Sequence, residues 1–312
     1  MPSHKPPLVV VLGPTAVGKT EVAIQLAERL DGEIVSADSR LFYRGMDIGT
    51  AKPTLAERRR VPHHLIDVAE PDETWSLALF QREARKAIAD IHDRDKLPFL
   101  VGGTGQYVRA VTQGWQVPEA RPDPRLRAAL EDWAARIGED GLHARLALLD
   151  PDAAAGIDPR NLRRTVRALE VILSTGKLFS NQRRREGSPY CLFLLGLRRP
   201  RPETYQRIDA RIQAMLRDGL SEEVESLLGQ GYSPDLPTMS AIGYREMVAY
   251  LQGEITIDEA VARMKRATRT FVRRQANWFK ADDPEIRWFD AGETSPEVIE
   301  RAIRDWLGEI CP

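Results

Sequence analysis

Cysteine is nearly absent from this 312-residue chain: Cys191 and Cys311 are the only two, far apart in sequence. Two such residues cannot build a disulfide framework or a zinc site, and they fit a reducing cytoplasm. Net charge is also missing, the formal total being −1, so no global surplus of one sign announces a nucleic-acid or membrane partner. Long apolar runs are missing too. The opening residues Met1-Pro2-Ser3-His4-Lys5-Pro6-Pro7 lack the apolar core of a secretion signal, and no stretch approaches bilayer-spanning length. A soluble, cytoplasmic monomer without internal repeats is expected.

What is there is unevenly distributed. Residues 159–185 carry eight Lys/Arg against the single acid Glu170, residues 260–280 carry seven against none, and residues 282–310 reverse the balance with nine acids and three Arg. Local basic patches inside a neutral total suit a polyanion bound over a defined surface; solvated helix faces are the plainer alternative.

The most informative stretch is Leu8 to Leu30. Leu8 to Leu12 is a run of branched apolar residues that reads as a fully buried strand, and Val22, Ala23, Ile24, Leu26, Ala27 and Leu30 recur at helical spacing. Between them lies Gly13-Pro14-Thr15-Ala16-Val17-Gly18-Lys19-Thr20, the G-x-x-x-x-G-K-T pattern of a phosphate-binding loop. Its glycines let successive backbone N–H groups turn inward around a polyphosphate at a helix N-terminus. Lys19 can reach the terminal phosphates, and the Thr20 hydroxyl can ligate Mg²⁺.

Further strands are expected over Glu33 to Ser39, Phe99 to Thr104, Cys191 to Leu197 and Glu285 to Asp290. Ligands in open α/β sheets sit beyond the carboxyl ends of the strands, so Asp38 should face the same crevice as the phosphate loop. Arg40 to Pro53 is glycine-punctuated and aperiodic, and reads as a loop that touches a ligand. His63 and His64 have no third ligand at metal-like spacing and read as structural. Ser76 can cap a helix carrying Phe80, Ala84, Ile88 and Ile91 on one face. The third strand ends Gly102-Gly103-Thr104 instead of the Asp with which NTP-hydrolysing proteins commonly hold the Mg²⁺ shell, which suggests close backbone approach by another molecule.

From about Gln116 the βα rhythm stops. Val117-Pro118, Arg121-Pro122 and Asp123-Pro124 interrupt it, and helical patterns follow at Leu126–Ile137, Leu142–Leu149 and Leu162–Leu173. An all-helical insertion over 116–187 is expected within an α/β domain made of 1–115 and 188–312. After it, a helix with Ile208 and Ile212 inward leaves Arg207 and Arg211 on another face. The polar stretch Thr238 to Arg245 reads as a loop, and the basic helix 260–280 should keep Met264, Phe271 and Trp278 on one side.

The loop alone leaves three chemistries open. A kinase would use Lys19 and Mg²⁺ on a transferred γ-phosphoryl group, with Asp38 orienting the acceptor. An alkyl transferase would bind diphosphate as a leaving group. An NTP-dependent switch is the third, weakened by the missing acid. The long segment after Asp38 and the two basic helices favour a large anionic acceptor.

Five motifs in order then carry a resemblance: GPTAVGKT at Gly13–Thr20, DSRLFYRGMDIGTAKP at Asp38–Pro53, VGGTGQY at Val101–Tyr107, RRTVRALEV at Arg163–Val171 and SAIGYRE at Ser240–Glu246. Together the chain resembles the bacterial tRNA dimethylallyltransferase family, also called tRNA isopentenyltransferases. It departs from the commoner pattern at Leu41-Phe42, where many members have Gln-Val. The resemblance implies a P-loop NTPase-like parallel sheet core flanked by helices. It implies transfer of the dimethylallyl group from dimethylallyl diphosphate to N6 of the adenosine 3′ to the anticodon, with that base turned out of the anticodon stem-loop. It implies Asp38 as base, Lys19 and Thr104 beside the reaction, Thr20 on Mg²⁺, and Gly13–Thr20 with Arg211 around the diphosphate. RNA contacts are implied at Asp38, Ser39, Arg40, Leu41, Thr104 and Arg127, at Arg163, Arg164, Thr165, Val166 and Arg167, and at Ser240, Ala241, Ile242, Gly243, Tyr244 and Arg245, with the insertion clamping the loop.

Overall fold

The computed structural model describes residues 5–117, 123–181 and 187–310. The proline breaks at Pro118 and Arg121-Pro122, and Cys311, lie outside them. The chain divides into two units, Met1–Thr112 with Ser188–Pro312, and Gln113–Gly187.

The first unit is built on six parallel strands: β1 (Pro7–Leu12), β2 (Gly32–Ser36), β3 (His63–His64), β4 (Leu97–Val101), β5 (Cys191–Arg198) and β6 (Ile286–Asp290), in the order β3-β2-β4-β1-β5-β6. A parallel sheet is covered on both faces, which is why β1 is apolar at every position. Its Leu8, Val10 and Leu12 enter one apolar layer and its Val9 and Val11 the other, all 0–1% exposed. Helices α1 (Lys19–Arg29), α2 (Leu55–Arg60), α3 (Leu77–His92) and α4 (Gly105–Thr112) follow β1 to β4 in this unit. Ser76 caps α3, its Oγ accepting the Leu79 N–H at 3.1 Å. Because β2 and β1 both flank β4, the segments leaving these three strands emerge side by side: the phosphate loop, Asp38 and Thr104.

The second unit contains α5 (Pro124–Ile137), α6 (Glu139–Leu149), α7 (Pro151–Ala155) and α8 (Leu162–Thr175). Leu130, Leu142, Leu146, Val166 and Leu169 form its apolar centre. Glu170 is fully buried here and accepts hydrogen bonds from Arg127 (2.8 and 3.0 Å), Arg167 (2.6 Å) and the Asp123 N–H (2.8 Å). Burial alone would raise its pKa; the two guanidiniums and the amide more than reverse this and hold it below the ordinary glutamate range. Returning to the first unit, the chain adds α9 (Arg201–Arg217), α10 (Leu220–Gly229), α11 (Tyr244–Leu251), α12 (Ile257–Gln275) and α13 (Pro296–Ile310).

The structure corrects several expectations. The two-residue β3 and the short α2 and α7 are too brief to show periodicity. The segment after Asp38 is core as much as loop: Phe42 and Met46 are fully buried, and Phe42 stacks on Phe80 and Tyr107 with centroids 5.8 and 5.9 Å away. Lys52, 7% exposed, donates to Tyr43 O at 2.7 Å and pairs with Asp47 and Asp67. Glu223 on α10 accepts the N–H groups of Asp47, Ile48 and Gly49 at 2.9, 2.7 and 3.2 Å. This segment is therefore fastened by charge at both ends of its turn. Phe271, expected inward beside Met264, is 42% exposed whereas Met264 is 1% exposed.

Candidate active site

The chain leaves β1 through Gly13, whose φ of 148° places it where a Cβ would lie 2.5 Å from Leu197 O on β5. Ala16 (φ 66°) and Gly18 (φ 110°) then turn left-handed, which coils the loop before α1 begins at Lys19. A left-handed alanine is costly unless the surroundings hold it. Here they do, one side chain per residue. Lys19 Nζ donates to Pro14 O at 2.8 Å, the Thr15 N–H donates to Gln275 Oε1 at 2.8 Å, Arg207 Nε donates to Ala16 O at 2.8 Å, and Arg199 Nε donates to Val17 O at 3.0 Å. Three carbonyls are pinned by cations. The Thr15 amide is already engaged, so it is not among the inward-facing donors that the motif suggested.

Lys19 is half-buried, and desolvation brings its pKa down to about 8; the Asp38 carboxylate pushes it up, and Arg211 pushes it down. Arg211, on α9, is lowered by burial, raised by Asp38 and lowered by Arg207. Two cations and one carboxylate thus share one electrostatic neighbourhood at the mouth of the loop, as needed to hold a polyanion beside a base. Asp38 is held by its own turn: Oδ1 accepts the Arg40 N–H at 3.0 Å, and its carbonyl accepts the Leu41 N–H at 3.2 Å. Tyr107, whose ring stacks on Phe80 at 4.5 Å, also feels the Asp38 charge. Burial pushes the Tyr107 hydroxyl up to about 12, with Tyr43 and Asp38 acting the same way and Arg40 opposing them.

The glycine pair after β4 serves the chain's own packing. A Cβ on Gly102 would lie 2.3 Å from Ala37 O, and one on Gly103 2.3 Å from Gln275 Nε2. Gln275, 5% exposed at the end of α12, donates from Nε2 to Gly103 O at 3.1 Å while its Oε1 holds Thr15. It joins the phosphate loop to the turn carrying Thr104. The sequence reading missed it, because α12 stood out by charge and a lone glutamine carries no spacing signal. Thr104 is half-buried at the head of α4, its carbonyl accepting the Tyr107 and Val108 N–H groups. The hydroxyls of Thr104 and Thr20 make no hydrogen bond among the described residues.

The remaining expected residues divide. Ser39, Arg40 and Leu41 follow Asp38 in its turn, and Arg40 Nη1 donates to Pro237 O at 3.3 Å. Ser240 and Arg245 are exposed and Ile242 is half-buried, whereas Ala241, Gly243 and Tyr244 are buried. The Tyr244 hydroxyl donates to Glu223 at 2.5 Å, so this side chain anchors α11 and reaches no surface. In the helical unit Thr165 and Val166 are core residues, 0% and 3% exposed, and Arg127 and Arg167 are held by Glu170. Arg163 and Arg164 are exposed, with no side-chain ion pair among the described residues. Both histidines are structural: His63 Nδ1 lies 2.7 Å from Val61 O, and His64 Nε2 lies 2.7 Å from Glu33.

Comparison with known proteins shows what the whole chain resembles. Residues 41–282 match the IPP transferase family. A tRNA dimethylallyltransferase of Roseiflexus sp. (strain RS-1) is 58% identical over 274 residues, 88% of this chain and 90% of that one. Among solved structures, the tRNA isopentenylpyrophosphate transferase of Bacillus halodurans superposes with a TM-score of 0.72 at 42% identity, covering 98% of this chain and 97% of that one. A eukaryotic dimethylallyltransferase acting on tRNA gives a TM-score of 0.81 at 28% identity, over 97% of this chain and 80% of that one.

Proposed function

The chain belongs to the IPP transferase family, and we propose that Asp38, Lys19 and Arg211 are the groups with which it carries out transfer to an adenine amine. The reaction moves a dimethylallyl group from dimethylallyl diphosphate to tRNA. The acceptor is N6 of the adenosine next to the anticodon, presented by the anticodon stem-loop. The observation that carries this reading is the sheet order, in which β1 and β2 flank β4 so that the phosphate loop and Asp38 leave neighbouring strands; the mutual effect of Asp38, Lys19 and Arg211 on one another's charge agrees with it.

An exocyclic adenine amine is a poor nucleophile, because its lone pair is delocalised into the ring. As the bond from N6 to the allylic carbon forms, one N6 proton passes to the Asp38 carboxylate. The bond from that carbon to the diphosphate oxygen breaks, and its electron pair leaves with diphosphate. Lys19, Arg211 and the loop amides take up the growing charge on the leaving oxygens. The unpartnered hydroxyl of Thr104 offers a contact to the base once it has left the stack. Ser240, Arg245, Arg163 and Arg164 supply exposed groups for the RNA, with the half-buried Arg40 beside Asp38.

Mg²⁺ fits this donor set. The Thr20 hydroxyl is free at the start of α1, and no group of three or more His, Cys, Asp or Glu among the described residues could hold a metal. A Mg²⁺ ion would thus be held by Thr20 and the substrate's own phosphate oxygens, the usual arrangement for this ion. When bound it supplies charge neutralisation to the diphosphate.

The test incubates the protein with Mg²⁺, labelled dimethylallyl diphosphate and an anticodon stem-loop, with ATP and small alcohols as controls. Label is expected on the adenosine. Asp38→Asn should lower kcat by about 10²–10⁴-fold while dimethylallyl diphosphate binds within about threefold of wild type. Undiminished turnover of this variant removes Asp38 as base, and ADP formation in place of label removes the transfer itself.

A further inference from the structure

Helix α12 and helix α11 enclose a groove of about 730 Å³, lined by Ile242 and Arg245 on one side and by Arg263, Arg266, Phe271 and Arg274 on the other. Its α12 residues recur at three- and four-residue spacing and so form one stripe. Three arginines of the neighbourhood are already engaged: Arg263 with Glu259 at 2.5 Å, Arg245 with Glu246 at 2.6 Å, and Arg269 with Asp209 at 2.8 Å. Glu246, the acid of the lining, is 3% exposed and also accepts the Gly243 N–H at 2.7 Å. Arg266 and Arg274 are exposed and make no ion pair or hydrogen bond among the described residues. They bracket Phe271, which is 42% exposed.

Building on the reading of tRNA as substrate, we infer that this groove seats an unpaired nucleotide of the same RNA, its base stacked on Phe271 and its flanking phosphates on Arg266 and Arg274. An aromatic face between two unpaired cations suits single-stranded nucleic acid, because every base offers a π-face and every link a negative charge. A duplex keeps its bases stacked and cannot use such a ring. Position along the fold names the same RNA as occupant. Arg274 is followed directly by Gln275, which hydrogen-bonds the phosphate loop at Thr15, so a strand lying along α12 runs toward the site where the adenosine reacts. The part served is loop nucleotides beyond the reacting base.

The test measures transfer from dimethylallyl diphosphate to an unmodified tRNA transcript by wild type, Phe271→Ala, Phe271→Tyr and the double variant Arg266→Ala/Arg274→Ala. Arg301→Ala on α13 serves as a charge control. Phe271→Ala should raise KM for tRNA by about 10–100-fold, the range of one lost base–aromatic stack. Phe271→Tyr should restore it. In both, kcat and KM for dimethylallyl diphosphate should stay within twofold and the melting temperature should hold. The arginine pair should lower the slope of log Kd against log salt by about 1.4, at about 0.7 per phosphate on a single strand, and Arg301→Ala should leave it unchanged. An unchanged KM in Phe271→Ala overturns the inference. So does equal loss in Phe271→Tyr with a lowered melting temperature, which marks Phe271 as structural. A loss of pyrophosphate or ADP binding with tRNA affinity intact also overturns it, assigning the groove to small polyanions. Failure of wild type to label the anticodon loop refutes the function proposed above, whereas wild-type labelling with unaffected variants refutes this groove alone.

Discussion

The two basic helices look alike in sequence and differ in what their arginines are doing. On α8, Arg167 is spent with Arg127 on the fully buried Glu170, leaving Arg163 and Arg164 outward. On α12, Arg269 meets the half-exposed Asp209, Arg263 meets a neighbour on its own helix, and Arg266 and Arg274 stay free among the described residues. The first cluster includes a buried charge that needs its cations, and the second is chiefly a surface. Arginine density alone does not separate these cases; the burial of the opposing carboxylate does.

The largest effect that tests this contrast is on stability. Glu170→Gln leaves two partly exposed guanidiniums facing a neutral group at a fully buried position, and should cost about 3 kcal/mol in urea unfolding. Hydrogen exchange should place the loss in α8. Asp209→Asn removes a pair whose side chains are 34–36% exposed, and should cost about 0.5 kcal/mol. Acid should repeat the pattern. Glu170 has a folded pKa below its ordinary 4.5, so its contribution is complete above that value and is lost as pH falls through the lowered folded one. Glu170→Gln should therefore lack this part of the acid transition. Equal costs for the two substitutions would abolish the distinction.

A middle-sized effect separates the helices by their tie to the chemistry. α12 ends in Gln275, which bonds both Thr15 and Gly103; the corresponding arginines of α8 serve their own unit. Gln275→Leu strands a half-buried N–H and a buried carbonyl, and should raise KM for dimethylallyl diphosphate about tenfold. Gln275→Glu, which keeps the acceptor for Thr15, should recover part of that loss. An unchanged KM in Gln275→Leu would show that the cations on Pro14, Ala16 and Val17 hold the loop unaided.

What was legible in the sequence follows the range of the interactions. β1, the G-x-x-x-x-G-K-T loop and the Ser76 cap are local and were read correctly, as was the parallel sheet, whose buried strands carry continuous apolar runs. The supports of the loop are not local. Gln275, Arg207 and Arg199 reach it across 260, 191 and 182 residues, and no spacing rule connects them. Phe271 was misjudged because period gives the side of a helix and not how far the core extends along it. Phe42 fills an aromatic stack with Phe80 and Tyr107, a packing role that the aperiodic segment around it does not announce.

The smallest expected effect bears on the part of α8 that remains a surface. Arg163 and Arg164 follow the Asn161 cap, whose side chain accepts the Arg164 N–H at 3.2 Å, and their own side chains are exposed and make no ion pair among the described residues. Removing them should change stability by less than about 0.5 kcal/mol, since nothing buried depends on them. If they meet phosphates, Arg163→Ala/Arg164→Ala should weaken tRNA binding by a few fold at physiological salt and lower the salt slope by about 1.4. Arg167→Ala offers the opposite signature: stability falls because Glu170 loses a partner, and the slope moves only as far as the fold loosens. Measuring both quantities on both variants separates a charge that binds RNA from one that neutralises a buried acid, four residues apart on one helix. A steep slope retained by the double variant would mean that α8 contributes no phosphate contact and that the RNA is held by the α/β unit alone.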